Sequence, residues 1–96
     1  MAADRSVACR LVVRGSVQGV FFRASAKEQA DRWGVVGWAA NQGDGSVELW
    51  LEGSPDAVDR IRSWVGDGGP PAARVESVEM VDEQPGGLRD FRIRSG

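Results

Sequence analysis

Residues Gly15 to Arg23 read GSVQGVFFR, and the hydrophobic period of the chain changes across them. Before this stretch, from Val7 to Val13, apolar and polar positions alternate as in a strand; after it, Phe22, Ala26, Ala30 and Trp33 recur at helical spacing. Gly15 and Gly19 carry the chain through the change, so Arg23 falls in the first turn of a helix. A cation there faces the positive end of the helix dipole and the first unpaired N–H groups, at a cost of roughly 0.3 to 1 kcal/mol. An anion bound at that point would reverse the sign of this interaction.

Working outward, the first strand covers about Val7 to Arg14, with Val7, Cys9, Leu11 and Val13 on the face turned to the core and Arg10, Val12 and Arg14 on the other. The first helix runs from about Phe22 to Trp33 and stops at Gly34. Val35 to Asn41 reads as a second strand, in which Gly37 marks a bulge or a close backbone approach. Asp44-Gly45 is a hairpin signal, and Val47, Leu49 and Leu51 alternate with Glu48, Trp50 and Glu52 in the returning strand. A second helix opens at Ser54-Pro55-Asp56, carries Val58, Ile61 and Val65 on one stripe, and ends near Gly66. After the Gly/Pro loop 67–73, Arg74 to Val81 and Phe91 to Arg94 read as two more strands, separated by turn material at Gln84 to Gly87.

The order is therefore β-α-β-β-α-β plus a short extra strand. That order predicts an α+β, ferredoxin-like split β-α-β sandwich: an antiparallel sheet with both helices on one face. Ninety-six residues with 42% apolar content suit one domain over 1–96, with residues 1–6 flexible. No apolar run approaches the roughly 18 residues of a membrane span and no signal-like stretch begins the chain, so a cytoplasmic protein is expected. The single cysteine, Cys9, reads as an inert core residue. There is no histidine, which removes histidine metal ligands and Ser-His or Cys-His nucleophile pairs.

Charge is uneven. Arg5, Arg10, Arg14, Arg23 and Lys27 fall in a stretch with no carboxylate, while the rest of the chain has seven basic and fourteen acidic residues, net −7. A local positive field on an otherwise acidic chain, pI about 5.0, favours a small anionic ligand over nucleic acid. Arg10 and Arg14 are expected to decorate a solvated strand face, leaving Arg23 as the candidate anion ligand. Asn41, at the end of the second strand, is the other polar residue placed where the sheet is closing. Alone it would read as a hairpin residue. In a split β-α-β sheet the first loop and the end of strand two can share one rim.

On these residues the chain resembles the acylphosphatase family. GSVQGVFFR matches that family's Gly-x-Val-Gln-Gly-Val-x-Phe-Arg element, and GWAANQGDGSVE matches its Gly-x-(Val/Ala)-x-Asn-x-x-Asp-Gly-x-Val element; the likeness runs on through Gly69-Pro70 to Val75 and the terminal FRIR. The resemblance implies a monomeric enzyme that hydrolyses the carboxyl-phosphate bond of acyl phosphates to carboxylate and inorganic phosphate, without metal or cofactor. It further implies that Arg23 grips the phosphoryl oxygens, that the backbone N–H groups of Ser16, Val17, Gln18, Gly19, Val20, Phe21 and Phe22 cradle them, and that Asn41 holds the attacking water. Two departures stand out: residue 21 is Phe where many members have a smaller side chain, a change expected to matter little, and an aromatic common near the C-terminus is missing, which bears on the packing of the last strand.

The residues themselves argue in the same direction. Neither motif contains a good general acid or base, so an ordinary phosphate ester would be a poor substrate. A carboxylate leaves unaided, since its conjugate acid has a pKa of about 4. Acyl phosphates need only positioning, and a loose phosphoryl-transfer transition state is helped by in-line placement, fixed dipoles and a cation. A non-catalytic anion-sensing module on the same fold is the rival reading, and retention of both Arg23 and Asn41 speaks against it. An RNA-binding domain would need aromatic residues on the central strands; strand one has none, and an exposed Trp50 would be the single hint toward it. Action on carbamoyl phosphate within a larger enzyme is disfavoured because the chain reads as one domain.

Overall fold

The computed structural model describes residues 5–95. The expected flexibility of residues 1–6 lies, for residues 1–4, outside the described residues; Arg5 and Ser6 lead exposed into the first strand. Seven elements follow: β1 (Val7–Ser16), α1 (Phe22–Trp33), β2 (Val36–Asn41), β3 (Val47–Gly53), α2 (Pro55–Gly66), β4 (Arg74–Glu83) and β5 (Phe91–Arg94).

The strands form one sheet in the order β4-β1-β3-β2-β5. β1 runs antiparallel to both β3 and β4, and β2 antiparallel to β3. The expected antiparallel pattern holds for these four strands, and β5 departs from it by pairing parallel to β2. The register gives the reason. β4 finishes with Glu83 beside Ala8, Ala8 lies opposite Glu52, and Glu52 lies opposite Val36, the first residue of β2. A short connection across that end of the sheet delivers β5 to the far edge already pointing along β2.

Both helices pack on one face, α1 over β2 and β5 and α2 over β1, β3 and β4, touching each other. Alternation sets what lies between: Cys9, Leu11 and Val13 of β1 and Val47, Leu49 and Leu51 of β3 meet Phe22, Ala26 and Ala30 of α1 and Val58, Ile61 and Val65 of α2. α2 is capped by the Ser54 hydroxyl, which accepts from Ala57 N–H at 3.2 Å, with Pro55 at its first position. α1 stops at Gly34, whose φ of 73° is left-handed. Trp33 does not join the core: it is 38% exposed, with the Arg60 guanidinium 4.2 Å above its ring. Gly37 is the close approach anticipated, because a Cβ there would fall inside the Trp50 carbonyl of β3.

β4 does not alternate between buried and exposed positions. It is an edge strand, and Val78, Met80 and Val81 are exposed on it.

Candidate active site

The β1–α1 loop turns through left-handed backbone at two residues. Gly19 has φ 76°, and Phe21, the residue before α1, sits at φ 63°, ψ 25°. A left-handed residue followed by a helical one turns successive N–H groups to one side and makes a concave anion seat. Phe21 makes no side-chain cap, and the first turn of α1 has no acidic residue, in contrast to the Ser54 and Asp56 that serve α2. The left-handed backbone costs a residue with a Cβ roughly 1–2 kcal/mol.

Arg23 follows in the first turn of α1, half-buried, and its Nη1 donates to the Arg94 carbonyl of β5 at 2.7 Å. Three other cations of the positive stretch, Arg10, Arg14 and Lys27, are paired with carboxylates. On the open face of the sheet Arg10 pairs with Glu48 at 2.9 Å and Glu83 at 3.2 Å, and Arg14 with Asp44 at 2.9 Å and Glu79 at 3.3 Å. Lys27 meets Asp31 at 3.1 Å. Lys27 also donates to the Phe91 carbonyl at 3.2 Å, so what separates Arg23 from these three is that, among the described residues, no carboxylate meets it. A guanidinium has five N–H donors, so most of its capacity is left for an anion.

Arg23 and Asn41 line the same cavity, about 300 Å³ in volume, with Val17, Gly19, Phe21, Phe22 and Ala24 of the loop and helix start and Ile93 of β5. The remaining loop residues singled out by sequence are placed otherwise. Ser16 still belongs to β1, in register with Arg74, and the half-buried Val20 packs against the core. Gln18 turns its side chain away: its Nε2 donates to the Gln42 carbonyl at 2.8 Å and the Ser46 carbonyl at 2.9 Å. Both amide hydrogens are thereby used, and the loop is tied to the β2–β3 hairpin one residue beyond Asn41. A larger groove of about 860 Å³ runs along Trp38, Leu88 and Arg92, and neither Arg23 nor Asn41 reaches it.

The hairpin and the floor are fixed in their turn. Asp44 Oδ1 accepts from the Ser46 hydroxyl at 2.6 Å and its N–H at 3.0 Å, and these bonds together with Arg14 hold the Asp44 carboxyl well below the usual range. Asp44 is thus the turn residue it was read to be. Phe22 is buried under the cavity with its ring 5.5 Å from that of Trp64, and Gly69 lies so close that a Cβ there would come within 2.7 Å of the Phe22 ring. The Gly/Pro loop 67–73 therefore backs Phe22 and contributes no residue to the cavity wall. Cys9 is buried in the core, and that burial pushes its thiol pKa up. Trp50, which as an exposed residue would be the hint toward nucleic acid, is half-buried and stacked on Trp38, ring centroids 6.4 Å apart.

Sequence reasoning did not pick out Ile93 or the Arg94 carbonyl. Both arrive through the parallel docking of β5, a long-range event with no local signal.

The architecture defines the class first: a ferredoxin-like α+β domain in which an uncapped helix start, an arginine and an amide converge on one small cavity. The Acylphosphatase family model matches residues 9–93, and the chain belongs to that family. It is 50% identical over 95 residues to the acylphosphatase of Rubrobacter xylanophilus, spanning 97% of this chain and 84% of that one. To the acylphosphatase of Pyrobaculum islandicum it is 51% identical over 90 residues, spanning 92% and 94%. The solved acylphosphatase structure from Coxiella burnetii superposes with a TM-score of 0.90 at 33% identity, covering 98% of this chain and all of that one. The chain is an enzyme of the acylphosphatase type, acting in the hydrolysis of acyl phosphates. No helix among the described residues is long and apolar enough to cross a membrane.

Proposed function

We propose that hydrolysis proceeds by in-line attack of a water held by Asn41 on the phosphorus of a phosphoryl group gripped by Arg23 and by the backbone N–H groups of the loop from Ser16 to Phe22. The water oxygen forms the new P–O bond as the bond to the acyl oxygen breaks. The carboxylate leaves with that electron pair, and the water's proton passes to the phosphate or to solvent. The observation that supports this division is the shared cavity: Arg23, which no carboxylate meets among the described residues, and the amide at the end of β2 line one space of about 300 Å³.

Each group has work that the substrate makes sufficient. Charge on the equatorial oxygens in a loose transition state is met by the guanidinium and fixed N–H dipoles. Attack needs the water fixed in line, the kind of positioning that lowers barriers without proton transfer. The leaving carboxylate, with a conjugate-acid pKa of about 4, needs no acid. The reading takes the chain as one metal-independent domain, acting as a cytoplasmic monomer on a small molecule and not on nucleic acid.

The test is release of phosphate from benzoyl phosphate in the presence of chelator, for the natural chain, Arg23→Ala and Asn41→Ala. Arg23→Ala should lose roughly 1,000-fold or more in kcat/KM, on the scale of a lost transition-state donor plus its charge, and should lose competitive inhibition by phosphate. Asn41→Ala should lose turnover and keep phosphate inhibition. A phosphate inhibition constant unchanged in Arg23→Ala would overturn the assignment, and loss of turnover in chelator that added metal restores would overturn metal independence.

A further inference from the structure

The cavity has surface that phosphoryl chemistry does not use. Phe21 is 80% exposed, so its ring buries almost nothing in the fold, yet it occupies a backbone conformation that glycine would adopt without strain. Packing gives no reason for an aromatic side chain at this position. Ile93, brought to the same cavity by β5, is 44% exposed. The other large apolar residues of the wall, Val17 and Phe22, are buried and present no comparable surface. Two apolar side chains thus stand open to solvent at the edge of a cavity whose polar groups are Arg23, Asn41 and backbone amides.

A substrate anchored by phosphorus at Arg23 has to project its organic end past whatever borders the cavity. We infer that Phe21 and Ile93 form the acyl subsite, and that it selects acyl phosphates with aryl or branched-alkyl groups over small or charged ones. Contact with such a group removes the exposed ring of Phe21 from water, and the exposed apolar surface of both side chains is then shared with the ligand. A carboxylate-bearing acyl group finds no side-chain cation on the wall except Arg23, which the phosphoryl group occupies. The change at position 21, expected from sequence to matter little, then sets the preference for the leaving acid. The inference rests on the proposal that phosphoryl groups bind at Arg23.

The experiment compares kcat/KM for benzoyl phosphate and acetyl phosphate in the natural chain, Phe21→Ala, Phe21→Asn and Ile93→Thr. Asparagine tolerates the left-handed backbone, so Phe21→Asn removes the ring without disturbing the turn. The natural chain should prefer benzoyl phosphate, and the ratio of the two kcat/KM values should fall about tenfold in both Phe21 variants, equivalent to ~1.4 kcal/mol. Ile93→Thr should move the ratio the same way. Affinities for phenylphosphonate and methylphosphonate, measured by calorimetry, should show the same loss of discrimination without turnover. A ratio unchanged in all three variants overturns the subsite, even if both rates fall together, because equal losses belong to the loop backbone. A natural chain that binds both phosphonates but hydrolyses neither substrate overturns the reading beneath it instead, and with that the acyl preference falls too.

Discussion

Replacing Glu52 should unfasten the connection that delivers β5. Glu52 is only 4% exposed, and its carboxylate accepts from Gly86 N–H at 2.8 Å, Gly87 N–H at 2.8 Å, Leu88 N–H at 3.2 Å and the Trp50 indole at 3.0 Å. Burial alone would raise its pKa, but the donors outweigh it, and the group is held below its ordinary value. Hydrogen bonds to a charged group are worth about 1.5–3 kcal/mol each, and two effects reduce their sum: the carboxylate was desolvated to make them, and the exposed loop N–H groups recover water when it is gone. The expected net loss for Glu52→Ala is about 3 kcal/mol, which for a domain of this size lowers Tm by roughly 12–24 °C. Thermal and urea unfolding measure it directly. Because the folded pKa is depressed, this stabilisation is fully present above the unfolded value of about 4.3 and drains as pH falls through the lower folded value. Glu52→Gln should therefore be less stable at neutral pH and lose less on acidification than the natural chain. A loss under about 1 kcal/mol in Glu52→Ala, or an acid limb in Glu52→Gln as steep as the natural one, would refute the clamp.

Gln18→Ala removes two hydrogen bonds, at about 0.5–1.5 kcal/mol net each, so stability should fall by about 1–2 kcal/mol. It should also lower kcat on benzoyl phosphate by about tenfold, since the β2–β3 hairpin is no longer tied to the loop; a natural kcat would show that the brace does not position Asn41. Gly37→Ala should cost about 3 kcal/mol or more by urea unfolding, because backbone strain and overpacking against the Trp50 carbonyl act together. Gly43→Ala, where a Cβ meets nothing within 4 Å, should stay within about 0.5 kcal/mol and serves as its control.

What the sequence shows plainly is what local physics decides. The 3.6-residue recurrence from Phe22, with Gly34 in the left-handed stop, gives α1 its observed ends, and Ser54-Pro55 does the same for the start of α2. Asp44-Gly45 places the hairpin because both residues serve the turn itself. What is not legible depends on residues far apart in the chain. Glu52 reads as the polar partner in an alternating strand, and only the folded chain shows that it collects N–H groups from residues 86 to 88. β5 is visible as a strand, but its direction follows from where β4 ends. Trp33 fits the helical stripe by spacing yet stays 38% exposed, outside the core that Ala30 one turn earlier joins. The site shows the same division: Arg23 and Asn41 stand out in their motifs, whereas Ile93 reaches the cavity, and the Arg94 carbonyl reaches Arg23, only through the sheet's closing pair.

The supports around the cavity have one property in common. Gln18 fixes the loop to the hairpin, Glu52 fixes the segment that leads into β5, the Arg94 carbonyl steadies Arg23, and Phe22 fills the floor beneath. None of these supplies a proton or a nucleophile; each removes a degree of freedom. For an ester, such rigidity would leave the leaving alkoxide unassisted. With a carboxylate as leaving group no proton is owed, so the barrier that remains is one of orientation and of charge on the phosphoryl oxygens, which fixed dipoles reduce without reorganising. Under the proposed mechanism a small fold with no histidine can therefore act as a catalyst, provided that its stiffness is kept. Loosening a brace should then lower kcat before it lowers phosphate affinity, because Arg23 can still find an anion in a mobile site, whereas a water has to be held in line.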